Sequence, residues 1–221
     1  MPIEFRRRNI VGYAQSGLKN GATMVAPQFL NVGVSTAMPI TSIVAVGEDI
    51  SDNVAIQTLD FAGRTVDSYT WVDWMGDDPC WINDEMEIVT DVTFAPGQGL
   101  WVYGSDEGQG VQTAGQVGTK DLSVKLRNGA TPTGNPFPVT LKLGDILAEG
   151  DDASDNVAIQ TLDYAGRTVD SYTWVNWMGD DPCWINDEME IITDIEFAPG
   201  AGLWVYGSTE TQAVRFPAPE L

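Results

Sequence analysis

Histidine is missing from the 221 residues. That removes the commonest general base and the commonest transition-metal ligand, and with them any Ser-His-Asp or Cys-His constellation. Cations are scarce: 11 Lys and Arg stand against 32 Asp and Glu, a formal net charge of -21 at pH 7. Such a balance disfavours nucleic-acid phosphates, which need clustered Lys and Arg. It also makes self-association depend on screening salt, cations or local basic elements. Two cysteines, Cys80 and Cys183, are too few for a disulfide framework or a zinc site. No apolar run approaches the roughly 18 residues of a membrane-spanning helix, so membrane insertion is not expected. The opening Met-Pro-Ile-Glu-Phe-Arg-Arg-Arg has no apolar core behind its basic residues and does not read as a Sec signal peptide. The expectation is a protein made in the cytoplasm that reaches a virion or extracellular assembly by another route, such as lysis.

What the chain does have is a repeat. Ser51 to Ser105 recurs as Ser154 to Ser208 at a constant offset of 103 residues, and only six of the 55 paired positions differ. These are Phe61/Tyr164, Asp73/Asn176, Val89/Ile192, Val92/Ile195, Thr93/Glu196 and Gln98/Ala201. All eight Trp and both Cys lie inside the two copies. The residues ahead of each copy match more weakly. Phe29 to Gly33 is set against Lys125 to Gly129, and Pro39-Ile40-Thr41 against Pro138-Val139-Thr140. The duplicated unit is therefore about 100 residues, close to the modal domain size.

Within a copy, Val54 to Leu59 alternates with a period of two and reads as a strand. Leu59 to Arg64 is a hairpin loop with Gly63 where a positive φ is wanted. Thr65 to Val72 is the return strand, with Tyr69 and Trp71 on one face. Glu87 to Phe94 reads as a further strand, because the apolar Val92 and Phe94 flank the variable Thr93. Ala95 to Gly99 is a tight turn, and Leu100 to Tyr103 closes the unit. Short strands at turn-punctuated spacing, with no amphipathic helix, indicate an all-β chain of two tandem β-sandwich-like units. The expected layout is a basic arm at 1–8, units at 9–107 and 108–210, and an extended C-terminal arm at 211–221. A Gly- and Gln-rich stretch from Asp106 to Gln116 joins the units.

Gly12-Tyr13 with Leu18 and Gly21, then Phe94-x-Pro96-Gly97-x-Gly99-Leu100-Trp101, resemble a pattern in β-rich, tandem-unit bacterial and phage-associated structural proteins. Asp60 to Gly63 and Tyr69-Thr70-Trp71 extend the likeness. The resemblance implies a fold and a place among tandem surface or particle-associated modules. It supplies no catalytic residues.

Four chemistries suit the residues present. Glycan or receptor binding would use Trp74, Asp77, Asp78, Trp81 and Asp84 with their twins Trp177, Asp180, Asp181, Trp184 and Asp187, since aromatic platforms and carboxylates recognise sugar hydroxyls; Trp71 and Trp101 read as core. Ca²⁺, the one cofactor in view, could take the hard oxygens of Asp77, Asp78, Asp84 and Glu85, although the spacing is not an EF-hand. A glycosidase needs two carboxylates across a cleft, and no pair is singled out. Self-assembly would use the basic arm Arg6, Arg7 and Arg8, the C-terminal Phe216 and Pro217, and exposed strand edges. The favoured reading is a non-enzymatic structural protein that assembles as a homo-oligomer or with particle neighbours into a filament or virion. A surface glycan- or receptor-binding module is the alternative. Whether Cys80 and Cys183 pair is left open.

Overall fold

The computed structural model describes residues 11–32, 37–60, 64–74, 78–163, 167–177 and 181–220. The arginines at 6–8, Asp77, Asp180 and the hairpin tip at 61–63 lie outside them. The described chain is all-β, as the period-two pattern predicted, with two single-turn 3-10 segments at Ile40–Ser42 and Leu143–Asp145.

In unit 1 the strands are β1 (Val11–Gly17), β2 (Gly21–Val25), β3 (Met38–Pro39), β4 (Ile43–Val46), β5 (Ala55–Leu59), β6 (Thr65–Val72), β7 (Cys80–Ile82), β8 (Thr93–Phe94), β9 (Leu100–Gly104) and β10 (Gly110–Gln116). Unit 2 repeats them as β11 (Leu122–Lys125), β12 (Gly129–Gly134), β13 (Leu141–Lys142), β14 (Leu147–Glu149), β15 (Ala158–Leu162), β16 (Thr168–Val175), β17 (Cys183–Ile185), β18 (Glu196–Phe197), β19 (Gly202–Gly207) and β20 (Ala213–Phe216). All strand pairs are antiparallel. Each unit holds a five-stranded sheet, a three-stranded sheet and a two-stranded pair: β2-β9-β5-β6-β7, β1-β10-β4 and β3-β8 in unit 1, with β12-β19-β15-β16-β17, β11-β20-β14 and β13-β18 in unit 2. In unit 1 the sheets share one core, where Ile43, Ala45 and Val111 meet Ile56, Tyr69, Trp71, Trp81 and Val102.

Four expectations change. The leaders align differently: Leu18-Lys19-Asn20-Gly21-Ala22-Thr23 matches Leu126-Arg127-Asn128-Gly129-Ala130-Thr131, because Gly21 pairs Gly104 as Gly129 pairs Gly207. Both glycines hold positive φ, 116° and 112°, which only glycine adopts without strain. Pro39 pairs Thr93 as Lys142 pairs Glu196, so Pro39 corresponds to Lys142 and not to Pro138. Next, Gly110–Gln116 is no linker. It is the middle strand of the three-stranded sheet of unit 1, and the true link is 117–121. By the same logic, Phe216 is not in a free arm: Val214 and Phe216 alternate inward from the middle strand β20 and are fully buried. Lastly, Glu87 to Val92 is not a strand. Met86 sits at φ 61°, and Asn83 Oδ1 accepts the backbone N–H of Glu85 at 3.0 Å and of Glu87 at 2.8 Å, which holds a compact turn.

The units meet by exchanging equivalent contacts. The turn before β9 bridges Gln98 to Thr133 of β12, and the matching turn before β19 bridges Ala201 to Val25 of β2. Gly99 N–H donates to the Pro132 carbonyl at 3.1 Å, and Ala26 N–H donates to the Gly200 carbonyl at 2.9 Å. Thr133 Oγ1, fully buried, donates to the Gly97 carbonyl at 2.6 Å. This is the isologous pattern of a two-fold dimer, built inside one chain.

Residues after β20 dock on their own unit. Asp121 accepts the Ala218 N–H at 2.9 Å and Arg215 Nη1 at 3.0 Å, so its carboxyl is held below the ordinary carboxylate range by the backbone N–H first and the guanidinium second. A depressed carboxyl contributes stability above its ordinary pKa and loses it as pH falls through the folded-state value. The protection factor of the Ala218 amide, its exchange rate set against the intrinsic rate at each pH, should therefore be high at neutral pH and fall on acidification, and Asp121→Asn should lower it at neutral pH.

The close approach of the units yields a second prediction. A Cβ on Gly99 would lie 2.7 Å from the Pro132 carbonyl carbon and the Thr133 nitrogen, both backbone atoms of the opposite unit. Gly99→Ala should destabilise the chain by about 1–3 kcal/mol, the cost of overpacking. In chemical denaturation it should also split the unfolding of the units that the native contact couples.

Candidate functional site

The Trp-rich segments divide into core and surface. In β7 the alternation turns Trp81 inward, and in β17 it does the same for Trp184, leaving 2% and 1% of each exposed. Each packs edge-on against the Trp opposite it in the neighbouring strand, Trp71 and Trp174, with ring centroids 5.1 Å apart. Their indole N–H groups donate to the Ile43 carbonyl at 2.8 Å and the Ile146 carbonyl at 2.7 Å. Trp81 and Trp184, expected as binding-loop aromatics, are structural. Trp101 and Trp204, with outward register in β9 and β19, are half-buried.

Trp74 and Trp177 are the surface pair, each 48% exposed. Trp74 Nε1 donates to Asp52 Oδ2 at 3.0 Å, and Trp177 Nε1 to Asp155 Oδ1 at 3.0 Å. Asp52 and Asp155 belong to tight turns with φ of 61° and 64°. Gln109 and Gln212 stitch these turns to the sheets. Gln109 Oε1 accepts the Ser105 N–H at 2.8 Å while its Nε2 donates to the Glu48 and Asp49 carbonyls at 3.2 and 3.0 Å. Gln212 repeats the set with Ser208, Asp151 and Asp152. Sequence reasoning missed these glutamines. Their signal was present: a Gln four residues beyond the end of each copy, at the same 103-residue offset.

The acidic loops carry Asp78, Asp84, Glu85, Asp181 and Asp187 on the exposed surface. Among the described residues, no three acidic or thiol side chains converge as a metal site. Asp77, the fourth oxygen ligand of the Ca²⁺ expectation, lies outside the described residues. Asp84 and Glu85 line an open groove of about 350 Å³ with Asp67, Tyr69, Glu87 and Asp91. Burial, then the Asp67 and Asp91 charges, push the Tyr69 phenol above its ordinary value, so it stays protonated through neutral pH. Cys80 and Cys183 are unpaired, half-buried thiols.

The units differ on their three-stranded sheets. In unit 2, Arg215 stands between Asp121 and Glu149. Its Nη1 bonds Asp121, and its Nε lies 2.7 Å from Glu149 Oε1, an ion-pair contact outside hydrogen-bond angles. The corresponding residues of unit 1 are Gln112, Tyr13 and Val46. Tyr13 is 75% exposed, and Val11 and Val44 are exposed beside it. The seven residues of β1 carry no charge, and among the described residues the outer edge of β1 is unpaired.

The split among the tryptophans is testable. Trp81→Ala or Trp184→Ala should cost about 3–5 kcal/mol of stability by chemical denaturation. Trp74→Ala or Trp177→Ala should stay near 0.5 kcal/mol, as for surface positions. The site rests on its own geometry, because comparison of the chain with protein-family models, with curated proteins and with solved structures finds no match.

Proposed function

We propose that this chain is a non-enzymatic structural protein that associates with copies of itself, as part of or on the surface of a phage particle or an extracellular filament. The observation that carries the reading is β1. On a chain of net charge -21, copies repel unless they meet where carboxylates are absent. The β1 edge and the face bearing Val11, Tyr13, Gln15 and Gln112 form such a place. Unit 2 has an ion triple on the same face, a common protection of sheet edges against pairing. Two β1 edges meeting antiparallel would continue the three-stranded sheets of two molecules through a two-fold axis. Strand edges, and not a C-terminal arm, are then the means of assembly, since Phe216 is committed to its own core.

Light scattering on the purified chain across a salt series tests this. Association should strengthen as salt screens the acidic bodies. Val11→Lys with Tyr13→Lys, which places like charges across the axis, should raise the dissociation constant by more than about tenfold. A monomer at every salt concentration would overturn the reading.

A further inference from the structure

Unit 2 contains an open cavity of about 510 Å³. Asp152, Ala153, Asn156, Trp174, Asn176 and Ser208 line it. Its volume falls within the ~300–1,000 Å³ of small-molecule sites. Unit 1 has Ile50 where unit 2 has Ala153, and Asp73 where unit 2 has Asn176. Ile50 packs onto the core of unit 1, so the change to alanine leaves its space empty. The change to asparagine removes a negative charge and adds a donor.

The tryptophan in the cavity wall points to a ligand. Trp174 is 6% exposed, yet its indole N–H meets no acceptor among the described residues. Its counterpart Trp71 is also without an acceptor, but sealed from solvent. The Trp174 nitrogen is not among the sealed, unpartnered atoms and opens to the cavity, where water or a ligand completes it. The other polar groups here are partly free. Asn156 spends its amide donors on the Asp152 and Ser154 carbonyls at 2.9 and 3.1 Å, leaving Oδ1 to accept. The side chains of Asp152 and Asn176 have no hydrogen-bond partner among the described residues. Donors and acceptors therefore line one wall together. An anion would face the Asp152 carboxylate, and an ammonium group could not accept from Trp174. A hydroxyl both donates and accepts, and several hydroxyls on one ring match the mixed lining.

We propose that the unit 2 cavity binds a neutral, hydroxyl-rich ligand, a monosaccharide ring either free or at the end of a glycan. Trp174 Nε1 donates to one ring or hydroxyl oxygen, and Asp152, Asn156 and Asn176 take the neighbouring hydroxyls. The site is separate from the β1 edge, so it stands or falls without regard to assembly.

The test is an NMR titration of the ¹⁵N-labelled full chain with glucose, galactose, mannose and N-acetylglucosamine, beside a glycan array probed with the same protein. Trp174→Phe assigns the indole resonance. At least one sugar, or one terminal residue on the array, should bind saturably, and for a free sugar the Trp174 indole signal should move while that of Trp71 stays still. Array binding without free-sugar binding assigns the site to glycan ends. Ala153→Ile and Asn176→Asp restore the residues of unit 1 at positions where its fold already accepts them, and each should weaken binding by at least about tenfold. No saturable response in either assay overturns the proposal. So does binding that survives Ala153→Ile.

Discussion

The indole of Trp81 ties the unit together. It stands in the five-stranded sheet, yet its N–H reaches across the core to the Ile43 carbonyl on the first residue of β4, in the three-stranded sheet. Sheets packed face to face are otherwise held by non-directional burial, which sets their spacing but only weakly their relative slide. A buried, directional bond fixes that slide, because an unmade one would leave both a donor and an acceptor without water. Trp184 and Ile146 repeat the bond in unit 2. With the sheets locked, the edge-on partners Trp71 and Trp174 can only sit where they do, and the tight turns at Asp52 and Asp155 follow, since their backbone N–H groups donate to the carbonyls of those tryptophans at 2.8 Å.

Around this shared frame the exteriors diverge. The reciprocal turns, Gln98 against Thr133 and Ala201 against Val25, keep the units in one arrangement. The outward faces are free to differ, and do: an ion triple at Arg215 against an uncharged edge at Tyr13, and an alanine in a cavity wall against an isoleucine packed on the core. Duplication gave two copies of a scaffold and two independent surfaces.

Much of the frame was legible because it is periodic. Thr65 to Val72 is a strand with the predicted bounds, and Tyr69 and Trp71 face inward as alternation required. Other parts were not, for identifiable reasons. Trp81 looked like a loop aromatic because its neighbours are acidic, and a three-residue strand is too short to show a period. Glu87 to Val92 has the alternation of a strand, but Asn83 captures its first backbone donors locally. The leaders hide their alignment because the motif that aligns them, Leu-Lys/Arg-Asn-Gly, holds together through backbone geometry more than through hydrophobic pattern. The prolines after Phe216 signal an ending, while its inward register depends on partner strands more than sixty residues away.

The link at 117–121 gives the duplicated interface its meaning. Two separate units held by a few backbone contacts between glycine-rich turns would have to find each other at whatever concentration the solution offers. Joined by five residues, each meets the other at an effective concentration on the order of millimolar or above. The contact can then rest on close backbone approaches at a few turns. The apolar side chains at the seam, such as Leu122 and Val124 against Gly97, add to a meeting that the chain already enforces.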